Sequence, residues 1–590
     1  MTDTAIRSAC RRTARRLASL AAVTMIAAAP QALQAQEAGP RASDSPLARG
    51  AVATASSDTV RLSAFFPPGA LTLTGKTAQA GLDVTNRARL MTDAGGTALL
   101  FDELFGEGGG EPPAGEPGGD RPVGEDVAIP VAGAGDKQDD GARYDAWGAK
   151  RNPGLAIGEV AGVNALIWFF NEYIRGGNFT SVNPRSWWFN ISHGFFYDDN
   201  HFKTNMFAHP YHGSLYFNSA RSNGLNYFES LPFAVIGSFF WECCAETHLP
   251  AWNDWVMTSL GGSSIGEMLY RAGSAFLDNE RAGGSRTMKE IGNFFLNPMR
   301  GLNRLTSGRA ARIYSNPADP YDRIPPNLST FMKAGVRFIG DRSTSESFES
   351  DTTITTAFFE FDMNYGNVFD DTRRKPFDFF EMSVQLNFGD TETVGRLQIH
   401  GNLFTTDIAK GEKSHHVFAI TQNYDYANNT ALEFGGLSYG AGFFSRFKMS
   451  ETWAFQTNVN IHVYLLSAVN SEFAFVGGRP PNTERFREYD FGMGPGAWAR
   501  FGFSHRGRQV AGLFYRFTFS ETLNGSAVNG GNTHHTVQWG GFQGVFPIGR
   551  WGVGADVIAY VRRSSFEDAG FVDIKQNVGQ FRFYGVFQSF

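Results

Sequence analysis

Between Thr330 and Phe590 apolar residues occupy every second position, segment after segment, and this period of two constrains the fold more than any other feature of the chain. One side of the segment from Trp453 to Leu465 reads Trp453, Phe455, Thr457, Val459, Ile461, Val463, Leu465, and the other reads Ala454, Gln456, Asn458, Asn460, His462, Tyr464. Phe380, Met382, Val384, Leu386 and Phe388 alternate in the same way with Glu381, Ser383, Gln385 and Asn387. So do Leu397, Ile399, Gly401 and Leu403 with Arg396, Gln398, His400 and Asn402. Successive side chains of a strand point to opposite faces, so each segment has one apolar and one polar side. Such segments recur about twelve times, separated by short gaps, as at 389–393 and 450–451, and longer ones, as at 470–488. The chain holds 55 Phe, 18 Tyr and 11 Trp, and at 14% aromatic it carries more rings than one soluble core hides. The pattern predicts an antiparallel transmembrane β-barrel of about 12 strands over 328–590, whose closed ladder satisfies every backbone group in lipid. A soluble sandwich or propeller would leave too many Phe uncovered, and no blade repeat is present.

The ends of the chain agree with export. Arg7, Arg11, Arg12, Arg15 and Arg16 precede an apolar run from Leu17 to Ala29, and Leu33-Gln34-Ala35 offers a small residue for cleavage, which makes 1–35 a secretory signal peptide. The closing Phe581-Arg582-Phe583-Tyr584-Gly585-Val586-Phe587-Gln588-Ser589-Phe590 resembles the recognition signal of bacterial outer-membrane barrels, although Phe590 has the opposite parity to Phe581, Phe583 and Phe587. Localisation in the outer membrane follows, with outer-membrane lipids and the barrel-assembly machinery as partners. A net charge of -6 gives no basic excess to neutralise phosphates and excludes nucleic acid as a partner. Residues 36–150, rich in Gly, Pro, Ala and Asp, read as a disordered linker with an apolar docking segment at 98–105. Once the signal is removed, the Cys243-Cys244 pair remains; neighbouring cysteines are poorly placed to bond, so two separate buried thiols are expected.

Between these parts, 151–310 has helical spacing, with segments at 155–173, 205–220, 229–245, 254–276 and 287–295, giving an α+β multi-domain chain. None of these segments is a clean run of 18 apolar residues, which indicates a compact helical domain and not a set of inner-membrane spans. The strings HPYHGSLYFNSARSNG from His209 and NPMRGLNRL from Asn297, with Trp241-Glu242, Asn253-Asp254 and Gly266-Glu267 between them, resemble a bacterial family of domains of unknown function, DUF3943, over 158–305. The resemblance implies a shared fold and an exported, envelope location; it implies no activity.

The same strings supply the candidate chemistry. His209 and His212 share a helix face if Pro210 lies in the first turn. Glu242 and Asp254 sit in apolar surroundings, where an ionised carboxylate needs a partner or a cation, and Arg221, Arg271 or Arg300 would supply the pairing. A catalytic arrangement would use His209 or His212 as base, Ser214 as nucleophile, and Glu242 or Asp254 to orient the imidazole, in a lipid-modifying hydrolase or transferase. A metal arrangement would use His209, His212, Glu242 and Asp254 as ligands of a divalent cation. The structural alternative makes Asn205, Arg221, Asn253, Glu267, Arg271, Asn297, Arg300, Asn303 and Arg304 a polar network of caps and salt bridges, with Asn253-Asp254 as an N-cap. No cofactor motif is present. Inward parity assigns Glu381, Arg396, His400, His462, Arg516 and Arg582 to the barrel lumen, and the lumen of a twelve-stranded barrel admits solute or one inserted segment but not a folded domain. The helical domain is therefore expected at the periplasmic mouth or against the inner leaflet, with the protein acting as a channel or scaffold.

Overall fold

The computed structural model describes residues 144–345, 348–370, 375–390, 392–471, 487, 489–524, 526, 533–567 and 573–589. The signal peptide, the linker up to 143 with its docking segment, and Phe590 lie outside the described residues; the last part of the expected linker, 144–150, is instead packed, with Trp147 buried and its indole N–H donating to the Asp322 carbonyl at 2.9 Å.

Among the described residues, eight α-helices precede the strands: α1 Pro153–Phe169, α2 Pro184–His193, α3 His209–Ser222, α4 Tyr227–Phe240, α5 Trp252–Val256, α6 Gly262–Phe276, α7 Gly283–Leu296 and α8 Pro298–Thr306. Three of them, α1, α4 and α5, run into π-turns, at Phe170–Arg175, Trp241–Ala245 and Met257–Gly261, and a fourth π-turn, Thr204–Ala208, runs into α3. Asn152, Asn183 and Asn297 cap helices whose next residue is Pro, and Asn226 with Glu229 closes a capping box on α4. Helices α2 and α8, of 10 and 9 residues, were not expected from periodicity. The helix from Pro153 through Arg175 runs 23 residues and is long and apolar enough to cross a membrane, with 22% of its most apolar window buried. This departs from the expectation that no helical segment would qualify.

Twelve antiparallel strands follow: β1 Ser329–Ser345, β2 Phe348–Tyr365, β3 Phe380–Phe388, β4 Val394–Lys410, β5 Ser414–Asn429, β6 Leu432–Lys448, β7 Trp453–Asn470, β8 Tyr489–His505, β9 Arg508–Thr522, β10 Thr533–Ile548, β11 Trp551–Phe566 and β12 Ile574–Ser589. Each pairs with its sequence neighbours, and β1 closes on β12 from Thr330 with Ser589 to Thr344 with Lys575. Short and long connections do not alternate as the spacing suggests: the short β3–β4 and the long β7–β8 connections leave from the same end of the barrel, because three strand reversals lie between them. A register shift between Tyr464 and Ser467 turns Leu466, not Leu465, to the outer wall.

Side chains on strands that are not neighbours meet only through the interior, which identifies the two faces of the wall. Arg516 of β9 bonds Asp425 of β5 at 2.5 Å, and Arg582 of β12 bonds Glu360 of β2 at 2.6 Å. Asp425 therefore points inward and its neighbours Tyr424 and Tyr426 outward. These outward tyrosines are nonetheless fully buried, because the helical domain packs against the outer wall of the barrel. Phe361 and Met363 of β2, Met382 of β3, Ile399 of β4, Leu437 of β6 and Phe491 of β8 join one core with Met206, Tyr216, Phe217, Ile265 and Met268 of the helices. Polar contacts fix the seam: Gln422 donates to the Ser264 hydroxyl at 2.7 Å and the Leu260 carbonyl at 3.0 Å, Tyr424 donates to the Met206 carbonyl, and Asn205 donates to the Tyr489 hydroxyl at 2.8 Å. The expected place at the mouth is thus corrected to the flank. The reason is chemical: the lumen side is charged, whereas the outer face is the surface on which apolar helices can bury area.

Candidate functional site

Helix α3 begins at His209 with Pro210 as its second residue, a position that needs no N–H donor. It crosses the π-turn Met257–Gly261 backbone to backbone. A Cβ on Gly213 would lie 1.6 Å from the Thr258 carbonyl oxygen, and one on Gly262 would lie 2.6 Å from the Gly213 carbonyl carbon, so glycine alone permits this approach. The closeness places the Thr258 hydroxyl 3.4 Å from His209 Nδ1, and the Asp254 carboxylate of α5 3.5 Å from His209 Nε2. Glu242, in the π-turn that ends α4, completes the group: one donor atom from each of His209, Glu242 and Asp254 lies within 4.8 Å of the others. All three residues are at least 95% buried. Behind them, the Ala251 N–H donates to Glu242 Oε2 at 3.0 Å and Asn253 Nδ2 donates to Asp254 Oδ1 at 2.7 Å. Asn253 and Asn205 also hold Asp198, at 2.7 and 2.6 Å.

Burial pushes the Glu242 carboxyl up to about 8, with the neighbouring Asp198 charge adding to the effect and the Ala251 N–H opposing it. Burial and the charges of Asp198, Glu242 and Glu246 raise Asp254 well above the usual carboxylate range. Burial lowers the His209 imidazole to about 4, and burial together with the nearby His209 lowers His212 to about 3. The arginines expected to relieve these carboxylates are engaged elsewhere. Arg221 forks onto Glu267 at 2.6 and 3.0 Å, Arg271 joins Glu267 at 2.9 Å to Asp378 at 2.6 Å, and Arg300 donates to the Tyr270 carbonyl and Ser274. Burial alone would raise Glu267, but the Arg221 and Arg271 charges outweigh it and hold that carboxyl below its usual range. Among the described residues, no Lys or Arg pairs with Glu242 or Asp254.

Other expected positions resolve differently. Ser214 donates to the Tyr211 carbonyl at 2.6 Å and pairs with neither histidine, so the expected pairing of Ser214 with His209 or His212 is not assembled. Both ring nitrogens of His212 lack a partner, and its ring packs on Tyr216 and edge-on to Trp241. Asn253 and Asp254 lie inside α5, whose N-cap is Ala251; their side chains serve the buried cluster instead of capping. Asn297 caps α8 and donates to Asn218, Asn303 donates to Glu159 at 3.3 Å, and Arg304 forks onto Glu290 at 2.8 and 2.7 Å. Cys243 and Cys244 are bonded to each other, against the expectation of separate thiols, in the π-turn that also carries Glu242.

In the lumen, Glu360 gathers Lys333, Arg396 and Arg582 at 2.7, 2.5 and 2.6 Å, and Asp425 gathers Arg516, His400 at 3.1 Å and the Tyr464 hydroxyl at 2.9 Å. Glu381 pairs with Arg500 across the interior, His462 bonds Asn460 at 2.9 Å, and Arg582 also pairs with Asp556. Val368 and Phe379, on the β2–β3 connection, pack with Val417, Ala419 and Phe444 inside the same end of the barrel. The carboxylates at the centre of these ladders were missed from sequence, although Glu360 between Phe359 and Phe361, and Asp425 between Tyr424 and Tyr426, show the inward parity that would have marked them.

Fold and site together define a closed twelve-stranded β-barrel carrying a helical domain on its flank. Residues 194–299 of that domain match the family model described as Domain of unknown function (DUF3943), within the 158–305 stretch whose motifs resemble it. No curated protein matches the chain. Among solved structures, it is similar to the toluene transporter TodX of Pseudomonas putida, at 6% identity over 47% of this chain and 94% of that one, with a TM-score of 0.19. An outer membrane channel from Pseudomonas putida F1 matches at 12% identity over 46% and 100%, with a TM-score of 0.24. The outer membrane channel DcaP of Acinetobacter baumannii matches at 9% identity over 43% and 96%, with a TM-score of 0.17.

Proposed function

We propose that the protein is a bacterial outer-membrane barrel acting as a scaffold, with its lumen closed and its helical domain held in lipid against the flank. One observation carries this reading: the bare part of the wall and the outward side of the helices are both apolar. Ile461, Phe542, Phe546, Trp551 and Phe583 project from the wall, Ile461 at 60% exposure and Phe546 at 73%. Leu166, Trp188, Ile236 and Phe295 project from the helices, Leu166 at 68% and Trp188 at 72%. Soluble proteins rarely leave contiguous apolar patches beyond a few hundred Å² in water, so both surfaces call for the same solvent, the acyl chains of the bilayer. A lipid-borne photolabel mapped by mass spectrometry tests this. Label on Leu166, Trp188 and Phe546 is expected; a helical domain left clean beside a labelled wall would reject it.

The ladders through Glu360 and Asp425 cross the lumen between strands that are not neighbours, β2 with β4 and β12 and β5 with β9, and favour the scaffold over an open pore. A gated channel is the second reading, favoured by the polar lining that Gln385, Gln398, Asn429 and Gln580 share with Arg337 and Arg396 around one lumenal cavity. Planar-bilayer recording separates the two. The scaffold predicts no steady current, whereas sustained conductance by the native protein would replace it with the channel.

A further inference from the structure

We propose that His209, Glu242 and Asp254 bind one divalent transition-metal cation of the zinc class. The donor set is one imidazole and two carboxylates, borderline in softness; Mg²⁺ and Ca²⁺ favour oxygen ligands, whereas imidazole suits zinc and its first-row neighbours. Bonds of 2.0–2.1 Å in a tetrahedron set ligand atoms roughly 3.3 Å apart. The 3.5 Å between His209 Nε2 and Asp254 Oδ1 is already near that edge, and the 4.8 Å limit on the whole group leaves Glu242 a small rotation away. Two buried carboxyl groups with no Lys or Arg partner would give up their protons to a divalent cation, and their two negative charges would then cancel its charge.

Three further observations point to a ligand. Each donor is held by a hydrogen bond: His209 Nδ1 by the Thr258 hydroxyl, Glu242 by the Ala251 N–H, and Asp254 by Asn253, on the same Oδ1 that faces His209. Such outer-layer bonds are what metal ligands ordinarily have, and they fix which imidazole nitrogen is free. Second, π-turns converge at the group, since Thr204–Ala208 runs into His209, Trp241–Ala245 holds Glu242, and Met257–Gly261 supplies Thr258. Isolated π-turns are rare and frequently mark functional sites. Third, His212 is 95% buried, lies against Trp241 next to Glu242, and has neither ring nitrogen satisfied. An unsatisfied buried imidazole is costly, and a metal with three protein ligands keeps a fourth position whose bound water could supply the missing partner.

The test uses the full chain in detergent, stripped with a chelator and titrated with Zn²⁺ and then Co²⁺. One equivalent of zinc per chain is expected, together with the visible absorption of four-coordinate Co²⁺. His209→Ala and Glu242→Gln should each weaken zinc binding by at least tenfold, and Thr258→Val, which frees His209 Nδ1, by about tenfold. Heat-modifiable migration in detergent gels reports whether each barrel is folded. Folded native protein that binds no more zinc than His209→Ala would overturn the site, as would binding unchanged in both ligand variants. Should His209→Ala fail to fold, Cu²⁺ loaded into the native protein decides by electron paramagnetic resonance: nitrogen hyperfine coupling from histidine supports the site, and its absence overturns it.

Discussion

Single positions on the wall experience one of three surroundings, and parity in the sequence distinguishes only two of them. Ile461 points outward from the middle of β7 and is bare, so Ile461→Arg should cost ~2–4 kcal/mol at the bilayer midplane, read as a lower temperature of heat-modifiable unfolding. An arginine at neighbouring Asn460 would be the mild control if the lumen were open, but Asn460 is fully buried and bonds Thr421 at 2.8 Å and His462, so Asn460→Arg should be at least as damaging. The third surrounding is protein. Tyr424 has the outward parity of a lipid-facing ring, yet its hydroxyl donates to the Met206 carbonyl. Tyr424→Phe should therefore cost about 1 kcal/mol of helix docking, seen as faster proteolysis of the helical domain while the barrel stays intact. Alternation made inward and outward legible at each of these residues. It could not reveal which outward rings meet helices, because lipid and a helix face select the same apolar side chains.

At the level of elements, the sequence was clearest where a period ran long. The long strands announced themselves, and so did α3 with its Pro-bearing start; α2 and α8 are too short and too polar for a periodic stripe to show. The π-turns were illegible, since one extra residue in a helix leaves its apolar spacing almost unchanged over five residues. What the sequence does expose is glycine: Gly261, Gly262 and Gly266 are of the kind that allows close helix packing, and they face Pro210, Gly213 and Phe217 of α3, whereas Gly213 itself gave no signal. Gly213→Ala forces a Cβ into the Thr258 carbonyl oxygen, and the loss should be about 3 kcal/mol. Circular dichroism melts should show it in the helical signal, with the β signal unmoved. Uniform loss of both signals would mean that helices and barrel unfold as one unit.

For the whole molecule, the ladders are the feature that ties one wall to the other. Arg516→Ala strands Asp425 inside the lumen with His400 as its remaining ionisable partner, and breaking a buried pair in this way costs about 3–5 kcal/mol. The barrel should convert to its unfolded gel form at a distinctly lower temperature, and adding Asp425→Asn should recover part of the loss. Fold class was legible at this scale because a barrel repeats one signal twelve times, whereas the docking of one domain on another is written in contacts between positions as far apart as Asn205 and Tyr489, which no local pattern encodes. That docking has a consequence for biogenesis. The helices precede every strand in the chain, yet the surface that buries them is assembled from β2 through β8, with Met332 of β1 packed at its margin. The helical domain is therefore made before any strand and is the last part to find its seat. Between those moments its apolar side faces water, which makes it a client for a periplasmic holding chaperone, and the order of events runs from the strands back to the helices.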